Sequence, residues 1–151
     1  MKKILLVIMA LVAITAGYSF AAMGTTDQAK ANVDAAVKFY ETNGQAKAFA
    51  EFNDNKGKFV KGDLYVFVAD LKGNILAHGA NQKLVGQSLM ELKDPNGKLF
   101  MVEMVELAKS KGSGWVDYMW SNPETKKIAP KSTYILRIKN TDYFVGCGAY
   151  K

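Results

Sequence analysis

The spacing of apolar residues after position 24 predicts that the chain opens with two helices. Thr25 and Gln28 have the spacing of a capping box, and apolar residues then recur at helical spacing on one face. Asn43-Gly44 is a typical helix stop, and a short second helix that includes Phe52 is predicted after it. The first helix is therefore long and has an apolar face that needs a covering surface.

The pattern then changes to runs of β-branched and aromatic residues separated by turn residues. Five runs are predicted to be strands, at residues 63–70, 75–79, 115–120, 131–139 and 143–150. Short polar turns separate the first two runs and the last two runs, so each pair is expected to form a hairpin. The sheet is therefore predicted to be antiparallel.

A long excursion, residues 80–114, separates the second and third predicted strands. Within it we predict a short helix near 88–92, a turn at 94–97 and a helix over 98–111. The predicted fold class is α+β: a five-stranded antiparallel sheet with a long N-terminal helix and a helical crossover over one sheet face. Such a crossover can enclose a small apolar cavity of the kind that binds ligands.

Three aromatic residues fall within the third predicted strand. Strand alternation puts Tyr118 and Trp120 on one face and Trp115 on the other. Two neighbouring rings on one face form either a core wall or the floor of a small-ligand pocket. We expect Trp115 to be buried in the core and Trp120 to lie closer to a ligand.

The first residues have the layout of a secretory signal peptide. Lys2 and Lys3 precede an uncharged apolar run of about 13 residues, shorter than the roughly 20 that span a bilayer. Small residues at Ser19 and Ala21 fit a cleavage site. We therefore expect a signal peptide at residues 1–21, one domain at residues 22–151, and an exported, periplasmic protein. The alternative is an uncleaved membrane anchor.

Charge and cysteine content exclude other classes of protein. The formal net charge is +6, and the lysines are scattered, with Arg137 the only arginine. We therefore expect no nucleic-acid partner. Cys147 is the only cysteine, which excludes an intrachain disulfide. Between two glycines in an apolar strand, it is predicted to be a buried small hydrophobe.

A set of short motifs occurs in the same order as in a known sensor family. The motifs are residues 65–70 with Gly73, residues 76–78, Asn81, residues 84–86, Asp94 with Gly97, residues 112–120 with Pro123, Lys131, Tyr134 and residues 145–150. Together they resemble the single Cache domain, type 2. The resemblance implies a PAS-like sheet that senses small molecules, often short carboxylates, outside the cell as the input module of chemoreceptors and sensor kinases.

The resemblance also assigns a candidate ligand site. Its residues are His78, Tyr118, Trp120, Lys131, Tyr134 and, more weakly, Tyr65. A lysine supplies a point charge to an organic anion and a tyrosine hydroxyl orients it. His78 is the only histidine, and either a charged or a neutral imidazole can contribute.

The same residues argue against other functions. One histidine, one cysteine and no recognisable acid pair give no catalytic set, no zinc site and no haem attachment motif, so no enzyme activity and no cofactor are expected. Because the chain ends at Lys151, directly after the last predicted strand, we expect a free-standing periplasmic protein that passes its signal to a membrane receptor or sensor kinase. The alternative is an interaction protein whose first helix pairs with a partner chain, and both a monomer and a helix-paired dimer are compatible with the sequence.

Overall fold

The helices lie where the apolar spacing predicts them, with one exception described below. The computed structural model describes residues 22–151. Its helices are α1 Thr26–Asn43, α2 Gln45–Phe52 and α3 Phe100–Ser110. The Thr25 side chain accepts a hydrogen bond from the Gln28 N–H at 3.2 Å, and the Gln28 side chain accepts one from the Thr25 N–H at 2.9 Å. The predicted capping box is confirmed.

Six strands form one antiparallel sheet. They are β1 Val60–Lys61, β2 Leu64–Asp70, β3 Ile75–His78, β4 Ser113–Ser121, β5 Ile128–Arg137 and β6 Tyr143–Tyr150. The strand order is β1-β2-β6-β5-β4, and β3 also pairs with β2. The α+β class and the antiparallel sheet are confirmed, and the short strand β1 is an addition to the five predicted strands.

Alternation along the strands divides the interior into two apolar cores. On β2, Leu64, Val66 and Val68 pack on the side of α1 and α2, whereas Phe67 and Ala69 pack on the side of α3. The apolar face of α1 is thus covered by the chain's own sheet. This packing accounts for the apolar stripe on which the helix-pairing alternative was based.

The excursion differs from its prediction near residues 88–92, where the structure has no helix. A 3₁₀ helix, Gln82–Leu84, lies earlier in the excursion instead. The Leu89 N–H donates to the Gly73 carbonyl at 3.0 Å, and Ser88 forms a β-bridge with Asn74. This segment is therefore bonded to the β2–β3 turn, and its backbone groups are not available for a local helix.

The prediction that Trp115 is buried in the core is wrong. Trp115 is 41% exposed, although its side chain does lie on the opposite face from those of Tyr118 and Trp120. The reason is its strand: β4 is the last strand of the sheet, and α1 packs against β5 and β6. Trp115 extends past the helix and rests on Tyr134 of the neighbouring strand, with ring centroids 5.2 Å apart.

Cys147 is fully buried in the core beneath α1, which confirms its prediction as a small hydrophobe. Across residues 22–151 the structure contains no helix with the length and apolarity needed to cross a membrane. The predicted signal peptide, residues 1–21, lies outside the described residues.

Candidate functional site

A small cavity lies between the sheet and the excursion, at the face where α3 packs. Its wall is formed by Tyr65, Phe67, Ile75, His78, Leu89, Phe100, Met101, Met104, Tyr118 and Trp120. The enclosed space is about 10 Å³, roughly what a single water molecule requires. Strand alternation creates this wall, because the even-numbered residues of β4 and the odd-numbered residues of β2 face α3.

Lys131 lies beside this wall and is 1% exposed. Its Nζ donates to the Tyr65 hydroxyl at 2.8 Å and lies 4.0 Å from the centre of the Tyr65 ring and 4.9 Å from that of Tyr150. The lysine reaches this position by crossing the surface of β6 at Gly148. A Cβ on Gly148 would lie 2.5 Å from the Lys131 Cε, so glycine is needed there for the lysine to pass.

The charge of Lys131 is not neutralised by an ion pair. Among the described residues no carboxylate lies within salt-bridge distance of its Nζ, and the nearby buried Asp63 raises the lysine pKa only through its field. Burial lowers the pKa of Lys131 to about 7. Nζ donates to Tyr65 alone within this part of the chain, which leaves two of its three N–H groups for another acceptor.

A chain of hydroxyl groups continues from the lysine. The Tyr150 hydroxyl donates to the Ser121 carbonyl at 2.7 Å, so its oxygen accepts from Tyr65, which lies 3.4 Å away. Burial raises the pKa of Tyr65 and that of Tyr150, the latter to about 12. Both tyrosines are therefore neutral hydrogen-bonding groups. Within this hydrogen-bonded series of Lys131, Tyr65 and Tyr150, only the lysine carries a charge.

His78 is 4% exposed and packs against the rings of Tyr65 and Phe67, at 4.9 Å and 6.2 Å between centroids. Its Nδ1 accepts hydrogen bonds from the backbone N–H groups of Ala80 and Asn81, at 3.3 Å and 2.9 Å. Burial, together with the nearby charge of Lys131, lowers the pKa of His78 to about 3. The imidazole is thus neutral at physiological pH, with its proton on Nε2, which favours the neutral-donor alternative over the charged one.

The aromatic side of the cavity is formed by three rings. Tyr118 stacks on Phe100 with centroids 4.6 Å apart, and Trp120 meets Phe100 edge-on at 5.3 Å. The Tyr118 hydroxyl accepts a hydrogen bond from Thr133 at 3.2 Å. The two aromatic residues predicted to share a face of β4 therefore do so, and both line the cavity.

Five of the six predicted site residues converge on or beside this cavity, but Tyr134 does not. It lies on the opposite face of β5, partly buried against the core beneath α1, where Lys30 Nζ lies 5.1 Å from the centre of its ring. Tyr134 follows Lys131 by three positions on one strand, so alternation sends the two side chains to opposite faces. The same rule identifies Thr133 as the β5 residue that shares the lysine's face.

Several site residues were missed by sequence reasoning. Tyr150 completes the hydroxyl chain, and Phe100 stacks under Tyr118. Gly146 and Gly148 leave space on β6 for Phe67 and Lys131, respectively. Two glycines at alternate positions of an apolar strand are the signal for such a close approach. No group of three or more histidine, cysteine, aspartate or glutamate side chains within residues 22–151 is arranged to hold a metal ion.

A family model, Single Cache domain 2, matches residues 7–151. The chain belongs to this family. Cache domains are extracellular chemosensory modules that bind small molecules in chemoreceptors and sensor kinases, and theirs is not a known enzyme fold. The resemblance found in the sequence motifs is confirmed.

Curated relatives match part of the chain. The methyl-accepting chemotaxis protein McpP of Pseudomonas putida is 35% identical over 88 residues, which are 58% of this chain and 16% of McpP. The sensor histidine kinase MctS of Rhizobium johnstonii is 33% identical over 88 residues, 58% of this chain and 19% of MctS. The chain thus spans less than a fifth of the length of either relative.

Solved structures match more of the chain. A Cache chemosensory domain whose structure describes carboxylic acid recognition has a TM-score of 0.70 and 28% identity, and the alignment covers 82% of this chain and 91% of that domain. A methyl-accepting chemotaxis protein of Vibrio parahaemolyticus has a TM-score of 0.69 and 25% identity, with 82% and 86% covered. The fold is that of a Cache sensor domain.

Proposed function

We propose that this domain binds a small organic anion, most favourably a short-chain carboxylate, in the cavity between the sheet and the excursion. The related Cache domain that recognises carboxylic acids supports this choice. The chemotaxis receptor and sensor kinase among the relatives support a role in signal input. A membrane receptor or sensor kinase is the expected partner, and the periplasm the expected location.

The observation that carries the proposal is the buried, unneutralised Lys131. Burying an ammonium group without a carboxylate partner is costly, and this lysine keeps two N–H donors free of partners within the described residues. An anionic ligand would supply both the missing charge and the missing acceptors. A cationic ligand would be repelled by the lysine, and a neutral amide would leave its charge uncompensated.

The other polar groups fit the same ligand. A neutral His78 with its proton on Nε2 donates a hydrogen bond without adding a second charge, and the Tyr65 hydroxyl, which accepts from the Lys131 ammonium at 2.8 Å, helps to hold that ammonium in place. Around them the wall is apolar or aromatic, which suits a short hydrocarbon tail. The arrangement therefore has one polar end for a carboxylate and one apolar end for its substituent.

Ligand size limits the affinity. Acetate has about four heavy atoms, and the best tiny ligands gain at most about 1.5 kcal/mol per atom, so binding cannot much exceed about 6 kcal/mol. This corresponds to a dissociation constant no tighter than tens of micromolar. A much tighter complex would require a larger ligand.

Calorimetry of the purified domain tests the proposal. Acetate, propionate, propionamide and propylamine are titrated at pH 6.5 into the wild type, Lys131→Met and Lys139→Met. Charge-assisted hydrogen bonds contribute about 1.5 to 3 kcal/mol each, so Lys131→Met should weaken propionate binding by about ten- to a hundredfold. Lys139 is exposed in the β5–β6 turn, and its variant should bind like the wild type. Equal propionate affinity in all three proteins, or preference for propylamine, would refute the organic-anion proposal.

A further inference from the structure

Nearly all of the residues that line the cavity are buried. Of its ten lining residues, nine are buried and only Trp120 is partly exposed. The enclosed space of about 10 Å³ is too small for even a short carboxylate, so some wall residue has to move before any ligand enters. The position of Trp120 makes it the candidate.

Outside this wall lies a second, larger space. A groove of about 380 Å³ runs along the edge of β4, between residues 92–95 of the excursion and Met119, Trp120, Ser121 and Ile128. In the described part of the chain, Trp120 is the one residue that lines both the cavity and the groove. Trp120 therefore lies between the two spaces.

The far side of the groove is fixed independently of Trp120. One carboxylate oxygen of Asp94 accepts the Met119 N–H at 3.0 Å, and the other accepts the N–H groups of Asn96 and Lys98, each at 2.9 Å. The Lys98 ammonium in turn donates to the Asp117 carbonyl at 2.5 Å. These hydrogen bonds hold the excursion against the edge of β4. The width of the groove therefore does not depend on the position of the indole.

The indole packs against the apolar core on the α3 side and makes no hydrogen bond within residues 22–151. It touches Phe100 and Tyr118 at centroid distances of 5.3 Å and 6.1 Å, and no residue in 22–151 accepts a hydrogen bond from its N–H. Rotation toward the groove therefore breaks no polar contact, whereas displacing buried Met101 or Met104 would disturb the core against α3.

We infer that Trp120 determines which lengths of carboxylate ligand this domain accepts, because its indole closes the cavity and separates it from the groove. The inference rests on the proposed binding of carboxylates. In the wild type the indole swings outward to admit a short acid and closes behind it, so the tail cannot extend past the ring. Removing the indole ring joins the cavity to the groove, and the apolar wall of the groove can then contact a longer ligand tail.

A chain-length series tests this inference. Acetate, propionate, butyrate and hexanoate are titrated into the wild type, Trp120→Ala, Trp120→Phe and Trp115→Ala. Each buried methylene strengthens binding about fourfold, so Trp120→Ala should bind hexanoate about 60-fold tighter than propionate. The wild type should lose affinity beyond butyrate, and Trp120→Phe should fall between the two. Trp115→Ala, which removes an exposed ring on the opposite face, should follow the wild-type series.

The outcomes separate this inference from the proposed function. If the wild type binds short acids in a Lys131-dependent way but Trp120→Ala and Trp120→Phe keep the wild-type chain-length series, the inference is wrong and the function stands. If the wild type binds none of the acids, the proposed function fails and the inference falls with it. Thermal melts establish which variants are folded, and Trp120→Phe, which retains an aromatic ring, preserves the comparison if Trp120→Ala is unfolded.

Discussion

Lys131→Met should stabilise the ligand-free protein while it weakens ligand binding. The lysine is 1% exposed and has no ion-pair partner within the described residues, so its charge is carried at a cost to folding. Methionine has a similar length and no charge, and it packs readily into irregular apolar space. A residue whose removal raises stability but abolishes a binding function is retained for that function.

The magnitude follows from the pKa of the lysine. Burial lowers it from 10.5 to about 7, and one pKa unit corresponds to about 1.4 kcal/mol, so the charged form costs about 5 kcal/mol relative to a solvated lysine at pH below 7. Against this stand the hydrogen bond to Tyr65, about 1 kcal/mol, and the contacts with two aromatic rings, about 1 kcal/mol or more together. The variant should therefore be more stable by about 1 to 3 kcal/mol at pH 6.

Urea unfolding at pH 6, 8 and 10 measures the effect. Because the folded pKa lies below the unfolded one, the unfolded chain binds more protons between pH 7 and 10.5, and wild-type stability rises with pH through this window. The advantage of Lys131→Met over the wild type should therefore be largest at pH 6 and shrink toward pH 10. Lys139→Met, at an exposed position, should show no pH-dependent difference. A Lys131→Met protein that is less stable than the wild type at pH 6, or a stability difference that does not change with pH, would show that the buried charge of Lys131 does not destabilise the folded protein.

Three further predictions concern affinity, packing and export. Propionate affinity should fall about tenfold from pH 6 to pH 8, because the protonated fraction of Lys131 falls from about nine-tenths to about one-tenth. Calorimetry should find the same pH dependence in His78→Gln. An affinity that is the same at pH 6 and pH 8 would show that the lysine charge does not contribute to binding. Gly148→Ala should lower the free energy of unfolding in urea by about 1 to 3 kcal/mol and weaken propionate binding, because its Cβ would lie 2.5 Å from the Lys131 Cε. A variant with wild-type stability and affinity would show that the lysine does not need glycine at this position. Intact mass of the exported protein should show cleavage after Ala21, and a membrane fraction that retains residues 1–21 would favour an anchor.

Periodicity and capping chemistry predicted most of the fold because they act locally. The Thr25–Gln28 capping box, the stop at Gly44 and the final hairpin all depend on residues within a few positions of one another. The helix predicted near 88–92 failed because its backbone groups bond to the β2–β3 turn, a contact between distant segments. Trp115 was misjudged for a similar reason: strand alternation gave its face, but only the strand order reveals that β4 lies beyond the cover of α1.

The alternation of side chains along each strand predicted part of the candidate site. Applied to β4, it correctly grouped Tyr118 with Trp120. On β5 the same alternation separates Tyr134 from Lys131. The residue types alone gave no indication that Lys131 is buried without a partner, since most lysines lie in solvent. That property depends on Gly148 and Tyr65, which come from two other strands and meet the lysine only in the folded sheet.

If Lys131 is the charge partner of a carboxylate ligand, the protein takes up a proton when the ligand binds at a pH where the free lysine is neutral. Propionate is titrated calorimetrically at pH 8 in buffers of different ionisation enthalpy. With its pKa of about 7, Lys131 is mostly neutral at this pH, and an adjacent carboxylate raises the pKa and recharges it. We expect an uptake of nearly one proton per propionate in the wild type and none in Lys131→Met. Propionate binding to the wild type without proton uptake would show that Lys131 is not the charge partner.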